Sequence, residues 1–335
     1  MTLFAPDNLC RLRASFAPSS TPLALGVADV ARTHFGLARP DVSASSDLNG
    51  LTECFLVEDD VTRRRLFVKT SRHAGAPARF RREAECSIRL CDAGAPVPRA
   101  LLPVVEWEER SVLAFPYIEG AHFSGEGAQL ERAAAAFGAL TTIATDVLGN
   151  VDAPGAPPLA RLLDELVALY GRARSDARTA PICAAYAADV ARAIDRVSRR
   201  VDELVAPTAW THVDYHPLNL LFRGDELAAV LDFEDLLRFP VAIASGFAAY
   251  KLIRRAAVTA NGHVDASLAS TWARATRQEI DLPLLALGSR ARALMLLHLI
   301  LEHALDQGDD RFVYDLPKHA SSFAEMDRVF DQENG

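Results

Sequence analysis

The 335-residue sequence contains no C-x-x-C pair. Its five cysteines, Cys10, Cys54, Cys86, Cys91 and Cys183, are odd in number and scattered. That excludes a disulfide scaffold and reads as reduced thiols in the cytoplasm. A basic balance is missing too. The formal net charge is -8, whereas a nucleic-acid binder needs a basic footprint. The N-terminal residues have no basic start leading into an apolar run, so no signal peptide is expected. The best apolar stretch, Ala293 to Ile300, falls far short of the ~20 residues that span a bilayer. No internal repeat is present, and no low-complexity tract beyond an alanine bias. A cytoplasmic protein with neither membrane nor nucleic-acid partner is expected. What is present is a chain 50% hydrophobic and 24% charged. Its length suits two domains or one two-lobed one, with a core that needs no disulfide or metal staple.

The periodicity changes along the chain. Leu23 to Phe35 reads as a helix stopped by Gly36. Thr52 to Glu58 and Arg64 to Thr70 read as a hairpin of strands. Ala78 to Ala93 reads as a helix stopped by Gly94 and Pro96-Val97-Pro98. Pro103 to Trp107 and Arg110 to Ile118 read as another strand pair. From Gly120 the pattern is helical: Leu130 to Leu148, Leu159 to Ser175 and Ile182 to Val205. One β-like island interrupts it at Leu218 to Phe233. The expected division is therefore a sheet-bearing lobe over 1–118 and a helical lobe over 119–335. Residues 1–120 hold equal numbers of acidic and basic side chains, so the second lobe carries the whole negative charge. Solvated helix faces explain that most simply; an acidic surface would also attract a cationic ligand.

Polar chemistry concentrates in Thr211 to Asp235, THVDYHPLNLLFRGDELAAVLDFED. Two apolar runs joined by Gly224-Asp225-Glu226 predict a hairpin. A turn centred near Asp225-Glu226 sets Asn219 opposite Asp232. An amide oxygen beside a carboxylate suits Mg²⁺, which takes hard oxygen ligands and substrate phosphates. Asp214 precedes the hairpin in a loop held open by Pro217.

HVDYHPLN followed by LDFED resembles the catalytic loop and metal-binding segment of the aminoglycoside phosphotransferase and choline/homoserine kinase superfamily. These are protein-kinase-like small-molecule kinases. Asp214 and Asn219 keep the Asp-to-Asn spacing of the kinase pattern H-R-D-x-x-x-x-N. The resemblance implies a two-lobed α+β fold with an antiparallel-sheet N-lobe and a mainly helical C-lobe. It implies ATP and Mg²⁺ as cofactors, and transfer of the γ-phosphoryl group to a small-molecule hydroxyl. Asp214 would orient the hydroxyl and take its proton. Asn219 and Asp232 would hold the metal.

Other residues take roles from the same resemblance. Lys69, the first lysine in the chain, ends a strand and would grip the α/β-phosphates. Its partner should come from the helix after it, which offers Glu83 and Glu85. Phe80, Ala84, Ile88 and Cys91 mark the apolar face. At ~100° per residue Glu83 flanks that face and Glu85 lies nearly opposite, which selects Glu83. Backbone groups at Pro116, Tyr117 and Ile118 would meet the adenine edge. The phosphate-covering loop should lie in Ser45 to Glu53, with Gly50 its single glycine.

Simpler roles suit the remaining polar groups. His212 would brace its loop, and Glu234 and Asp235 would be surface or helix-cap residues, Asp235 alternatively leaning over the acceptor site. The cysteines, Trp107 and Trp210 would be packing. Val213, Leu218 and FPVAIASGF depart from the superfamily pattern, the last lacking the Asp that anchors the catalytic loop. With the single glycine at Gly50, these departures motivate a second reading, a nucleotide-binding pseudokinase without an acceptor. A third, a helical interaction protein, predicts no nucleotide binding. The acceptor could be an aminoglycoside, amino alcohol, sugar or similar metabolite, with the acidic second lobe favouring a cation.

Overall fold

The computed structural model describes residues 17–44, 52–149, 151, 157–260, 265 and 267–330. The chain begins with strand β1 (Ala17–Pro18), helix α1 (Pro22–Phe35) and strands β2 (Pro40–Ala44), β3 (Glu53–Asp59) and β4 (Arg65–Ser71). Helix α2 (Ala76–Asp92), strands β5 (Leu101–Trp107), β6 (Arg110–Pro116) and β7 (Ala121–His122) follow. Helices α3 (Gln129–Val147), α4 (Leu159–Ala173), α5 (Ala180–Ser198) and α6 (Val201–Leu204) come next. Strands β8 (Thr208–His212), β9 (Leu220–Arg223), β10 (Glu226–Val230) and β11 (Leu236–Pro240) lead to the last helices. These are α7 (Val241–Thr259), α8 (Ser267–Ala275), α9 (Leu282–Asp306) and α10 (Asp310–Phe330).

Two compact units result. Of the described residues, one unit comprises those up to His122 together with Leu218–Asp235; the other comprises those from Phe123 to Pro217 and from Leu236 onward. A single cut after residue 118 does not describe this. The β9–β10 hairpin joins the N-terminal unit because β9 pairs with β7. The amide of Val230 also donates to the carbonyl of Pro96 at 2.8 Å.

In the N-terminal unit six antiparallel strands run in the order β1-β2-β3-β4-β6-β5. Helix α1 starts where Thr21 accepts the amide of Ala24 and Pro22 fills the first turn. It stops at Gly36, which takes φ +71, a conformation that glycine adopts without steric cost. Strand alternation assigns the two sheet faces. Leu66, Val68, Val112 and Ala114 pack with Val27, Val30 and Phe35 of α1. Phe67, Leu113 and Phe115 pack with Phe80 and Ala84 of α2. Lys69 has the parity of Phe67 and so points toward α2.

The helical unit is built around α7 and α9. A Cβ on Gly246 would lie 2.2 Å from the Leu285 carbonyl, and one on Gly288 2.1 Å from that of Ala242. Two glycines thus let the two helix backbones touch. Helix α9 is longer than its Ala293 to Ile300 stretch suggests. By length and composition it could cross a membrane, with mean hydropathy 1.6 over 18 residues, but 72% of that window is buried inside this unit. Its apolarity is that of a core helix packed against α4, α5, α7 and α10.

Candidate active site

In the N-terminal unit the chemistry gathers on Lys69. Its ammonium lies 2.8 Å from Glu83 Oε1 and 2.5 Å from Asp232 Oδ1. Glu83 is 1% exposed, whereas Glu85 is exposed and pairs with Arg89. The helical-face argument thus picks the glutamate that the lysine meets. Burial would lower the pKa of Lys69, but Glu83, Asp232 and Glu234 outweigh it and raise it. Burial pushes Glu83 upward, with Asp232 adding and Lys69 opposing. Its Oε2 is buried without a hydrogen-bond partner.

The hairpin does not have the expected register. The turn is two residues, Gly224-Asp225, so Glu226 faces Arg223 and Leu227 faces Phe222. A bulge between Leu227 and Ala229 then shifts the pairing by one, so Val230 faces Leu220. Beyond the ladder the Leu231 amide donates to the Asn219 carbonyl at 2.8 Å. Leu231, not Asp232, is therefore opposite Asn219. Asp232 adopts φ +66, a left-handed conformation that Asp tolerates better than most residues. That turn of the backbone ends the strand and accompanies the swing of its carboxylate to Lys69.

Glu234 is not a surface residue. It sits half-buried in the short 3-10 turn Phe233–Asp235, with its carboxylate 3.3 Å from Arg79 Nε. Arg82 donates to its carbonyl at 2.9 Å. Burial raises its pKa, Asp232 adds, and Lys69 and Arg79 oppose. Oxygens of Glu83, Asp232 and Glu234 lie within 4.8 Å of one another. Only the close L-D-F-E sequence hinted at Glu234, and nothing hinted at Arg79 or Arg82. Cys54 faces Lys69 across β3 and β4, and burial raises its thiol to about 12. It is a neutral packing group, as expected of the cysteines.

Of the residues expected at the adenine edge, Pro116 ends β6. Tyr117 donates its amide to the Arg65 carbonyl at 3.0 Å, and its ring lies under the Arg65 guanidinium at 4.6 Å. That removes one donor from the set a purine edge could meet; the amide of Ile118 belongs to the same segment. Gly50 lies outside the described residues.

The helical unit holds Asp214. Its Oδ2 is 3.2 Å from His216 Nε2. Burial would raise its pKa, but His216, His212 and Lys251 outweigh it, so the carboxyl is held well below the usual range. Tyr215 fixes the loop. It is 1% exposed, its hydroxyl donates to the Ala133 carbonyl at 2.8 Å, and Phe137 meets its ring edge-on at 5.2 Å. His212 is buried against the same ring at 5.9 Å, the bracing role expected of it. In FPVAIASGF the buried Ser245 accepts from Trp272 at 3.1 Å.

A sheet lysine held by a buried helical glutamate, with a helical unit carrying the His-x-Asp loop, defines a protein-kinase-like small-molecule kinase. The family model described as Phosphotransferase enzyme family matches residues 51–275. The chain belongs to that family. No curated protein matches the sequence. Solved structures share the fold. A spectinomycin phosphotransferase in complex with ADP and spectinomycin has a TM-score of 0.65 at 11% identity. That match covers 91% of this chain and all of that one. An aminoglycoside phosphotransferase from Alicyclobacillus acidocaldarius has a TM-score of 0.62 at 17% identity, covering 94% and 95%. A choline kinase from Cryptosporidium parvum has a TM-score of 0.60 at 12% identity, covering 92% and 97%.

Proposed function

We propose that the chain is an ATP- and Mg²⁺-dependent kinase that moves the γ-phosphoryl group to a hydroxyl of a small molecule. The observation that carries this reading is the buried Lys69–Glu83 pair with Asp232 on the same ammonium. Structural neighbours crystallised with ADP support it. Lys69, restrained by Glu83, binds the α/β-phosphates. Asp214 orients the acceptor hydroxyl and takes its proton; its low pKa keeps it ionised for that task. Asn219 and Asp232 are the metal ligands, and Glu234 offers a third oxygen. The all-oxygen chemistry of this set suits the ion, and oxygens of Asp232 and Glu234 lie close together beside a buried Glu83 oxygen without a partner. Mg²⁺, when bound, neutralises charge on the phosphates. The rest of the work is positioning and charge stabilisation by these side chains.

The test is a thermal-shift titration with ATP, with and without Mg²⁺, on wild type, Asp232→Ala and Asp214→Asn. Ligand at 100 times its dissociation constant stabilises by ~2.7 kcal/mol. A Mg²⁺-dependent rise in Tm is expected in wild type and in Asp214→Asn, and its loss in Asp232→Ala. With an accepted substrate, Asp214→Asn lowers kcat by about 10²–10⁴. No shift with any nucleotide would refute the reading, and unchanged turnover would remove Asp214 from its role.

A further inference from the structure

Helix α2 turns one face toward the chain segment that carries Asp232, inside the N-terminal unit. Arg79, Arg82 and Glu83 are spaced i, i+3 and i+4, so they share that face. Each reaches a different group. Glu83 pairs with Lys69, whose ammonium also meets the Asp232 carboxylate. Arg82 Nη2 donates to the Glu234 carbonyl at 2.9 Å. Arg79 Nε lies 3.3 Å from Glu234 Oε2, and its Nη2 donates to Thr52 Oγ1 at 3.0 Å. Thr52 lies near the end of the stretch expected to cover the phosphates. Exposed residues of the same helix make surface pairs instead, Arg81 with Glu106 and Glu85 with Arg89.

Asp232 needs support from its neighbours. Its φ of +66 is a left-handed conformation, and such a conformation persists where the surrounding structure over-determines it. On its N-terminal side the Leu231 amide is tied to the Asn219 carbonyl. On its C-terminal side the two arginines hold the Phe233–Asp235 turn. Arg82 does so through a main-chain carbonyl, in a charge-assisted hydrogen bond. Arg79 does so through the Glu234 carboxylate, its planar fork addressing Thr52 at the same time. The main chain at Asp232 is thus held from both sides.

We propose, on the kinase reading above, that Arg82 and Arg79 are positioning residues for the metal. They hold the turn so that Asp232 and Glu234 present their oxygens to Mg²⁺ together. Arg82 acts through the main chain and Arg79 through the Glu234 side chain. Both are cations, so neither is itself a ligand of the ion. Loss of a residue that orients metal ligands typically costs about 10–100-fold in metal affinity. Charge alone predicts the opposite sign. Removing a cation weakens binding of metal-free ATP more than that of the less negative Mg²⁺ complex.

The test is the affinity for ATP, read from thermal shifts with saturating Mg²⁺ and again in EDTA. The ratio of the two affinities is the metal's contribution. Arg82→Met should lower that ratio about tenfold or more while affinity for metal-free ATP nearly holds. Arg82→Lys, which keeps the charge and a donor, should recover most of it. Arg79→Met should lower the ratio too, but not in a Glu234→Ala background, where its target is gone. Arg82→Met should keep its effect in that background, because the main-chain carbonyl remains. Arg81→Met, at an exposed surface pair, should change neither affinity. A ratio that rises or is unchanged in both arginine variants overturns the proposal. So does an Arg79→Met effect that persists beside Glu234→Ala. Affinities that fall together with and without Mg²⁺ overturn it as well, because general damage to the fold would act in that way. If Arg82→Met does not fold, Arg79→Met and its cycle with Glu234 decide, the Arg79 side chain being 24% exposed. A wild type whose ATP affinity gains nothing from Mg²⁺ overturns the kinase reading and this proposal with it. A wild-type gain that the variants leave intact overturns this proposal alone.

Discussion

Glu83 sets one carboxylate oxygen against the Lys69 ammonium and keeps the other buried without a partner. Glu83 and Asp232 thus share one lysine, and the two members of the Lys69–Glu83 pair differ in what they contribute. Lys69 is the cation that makes the burial of Glu83 tolerable; Glu83 is a charge that burial disfavours. Lys69→Met should therefore destabilise the protein by about 3–5 kcal/mol, the cost of leaving a buried charge unpaired. Glu83→Gln should cost far less stability yet lower kcat/KM for ATP, because Lys69 loses the charge that restrains it. Chemical denaturation of both variants beside ATP kinetics separates the effects. Equal losses of stability would show that the pair is structural. At this scale the sequence was informative. The choice of Glu83 over Glu85 follows from helical phase, while Lys69 and the Asp214–Asn219 spacing came from the resemblance to the kinase pattern. Glu234 did not, because its position depends on Arg79 and Arg82, about 150 residues earlier in the chain.

Elements are held by a few side chains at their ends. Asp59, at the end of β3, is fully buried and accepts the amides of Ala38 and Arg39, both at 3.1 Å. It also accepts the Val61 amide at 3.1 Å and the Thr62 hydroxyl at 2.8 Å. One carboxylate thus ties the β3–β4 turn to the segment between α1 and β2. Burial would raise its pKa, but the four hydrogen bonds bring it down to about 2. The unfolded value is about 3.9. The folded state therefore gains stability from this group above pH ~4 and loses it as the pH falls toward ~2. Thermal unfolding from pH 6 to pH 2 should show that loss in wild type and a flatter profile in Asp59→Asn. Identical profiles would dismiss the assignment. Strand existence was legible from alternation and turns, but hairpin register was not. A turn one residue earlier and a bulge moved Asp232 out of line with Asn219. Both depend on how the hairpin packs against β7 and Pro96.

At the scale of the whole chain, close helix packing sets the tolerance to change. Gly288 meets the Ala242 carbonyl where α7 and α9 touch, so Gly288→Ala overpacks the contact at a cost of about 1–3 kcal/mol. Gly171, in α4, has open space at its Cβ position, and Gly171→Ala should stabilise by about 0.4–1 kcal/mol. Opposite shifts in Tm check both, and a neutral Gly288→Ala would refute the close contact. The two glycines look alike in sequence, and only their neighbours differ. By itself the sequence pointed to the superfamily through the resemblance of HVDYHPLN and LDFED, and to the two-part α+β organisation and the Lys69–Glu83 pair. A short motif and local periodicity survive as the chain is read in order. Tertiary structure alone decided the register of the hairpin, the inward place of Glu234, and the setting of Tyr215 against Ala133 and Phe137. Each of these is set by contacts between segments far apart in the chain.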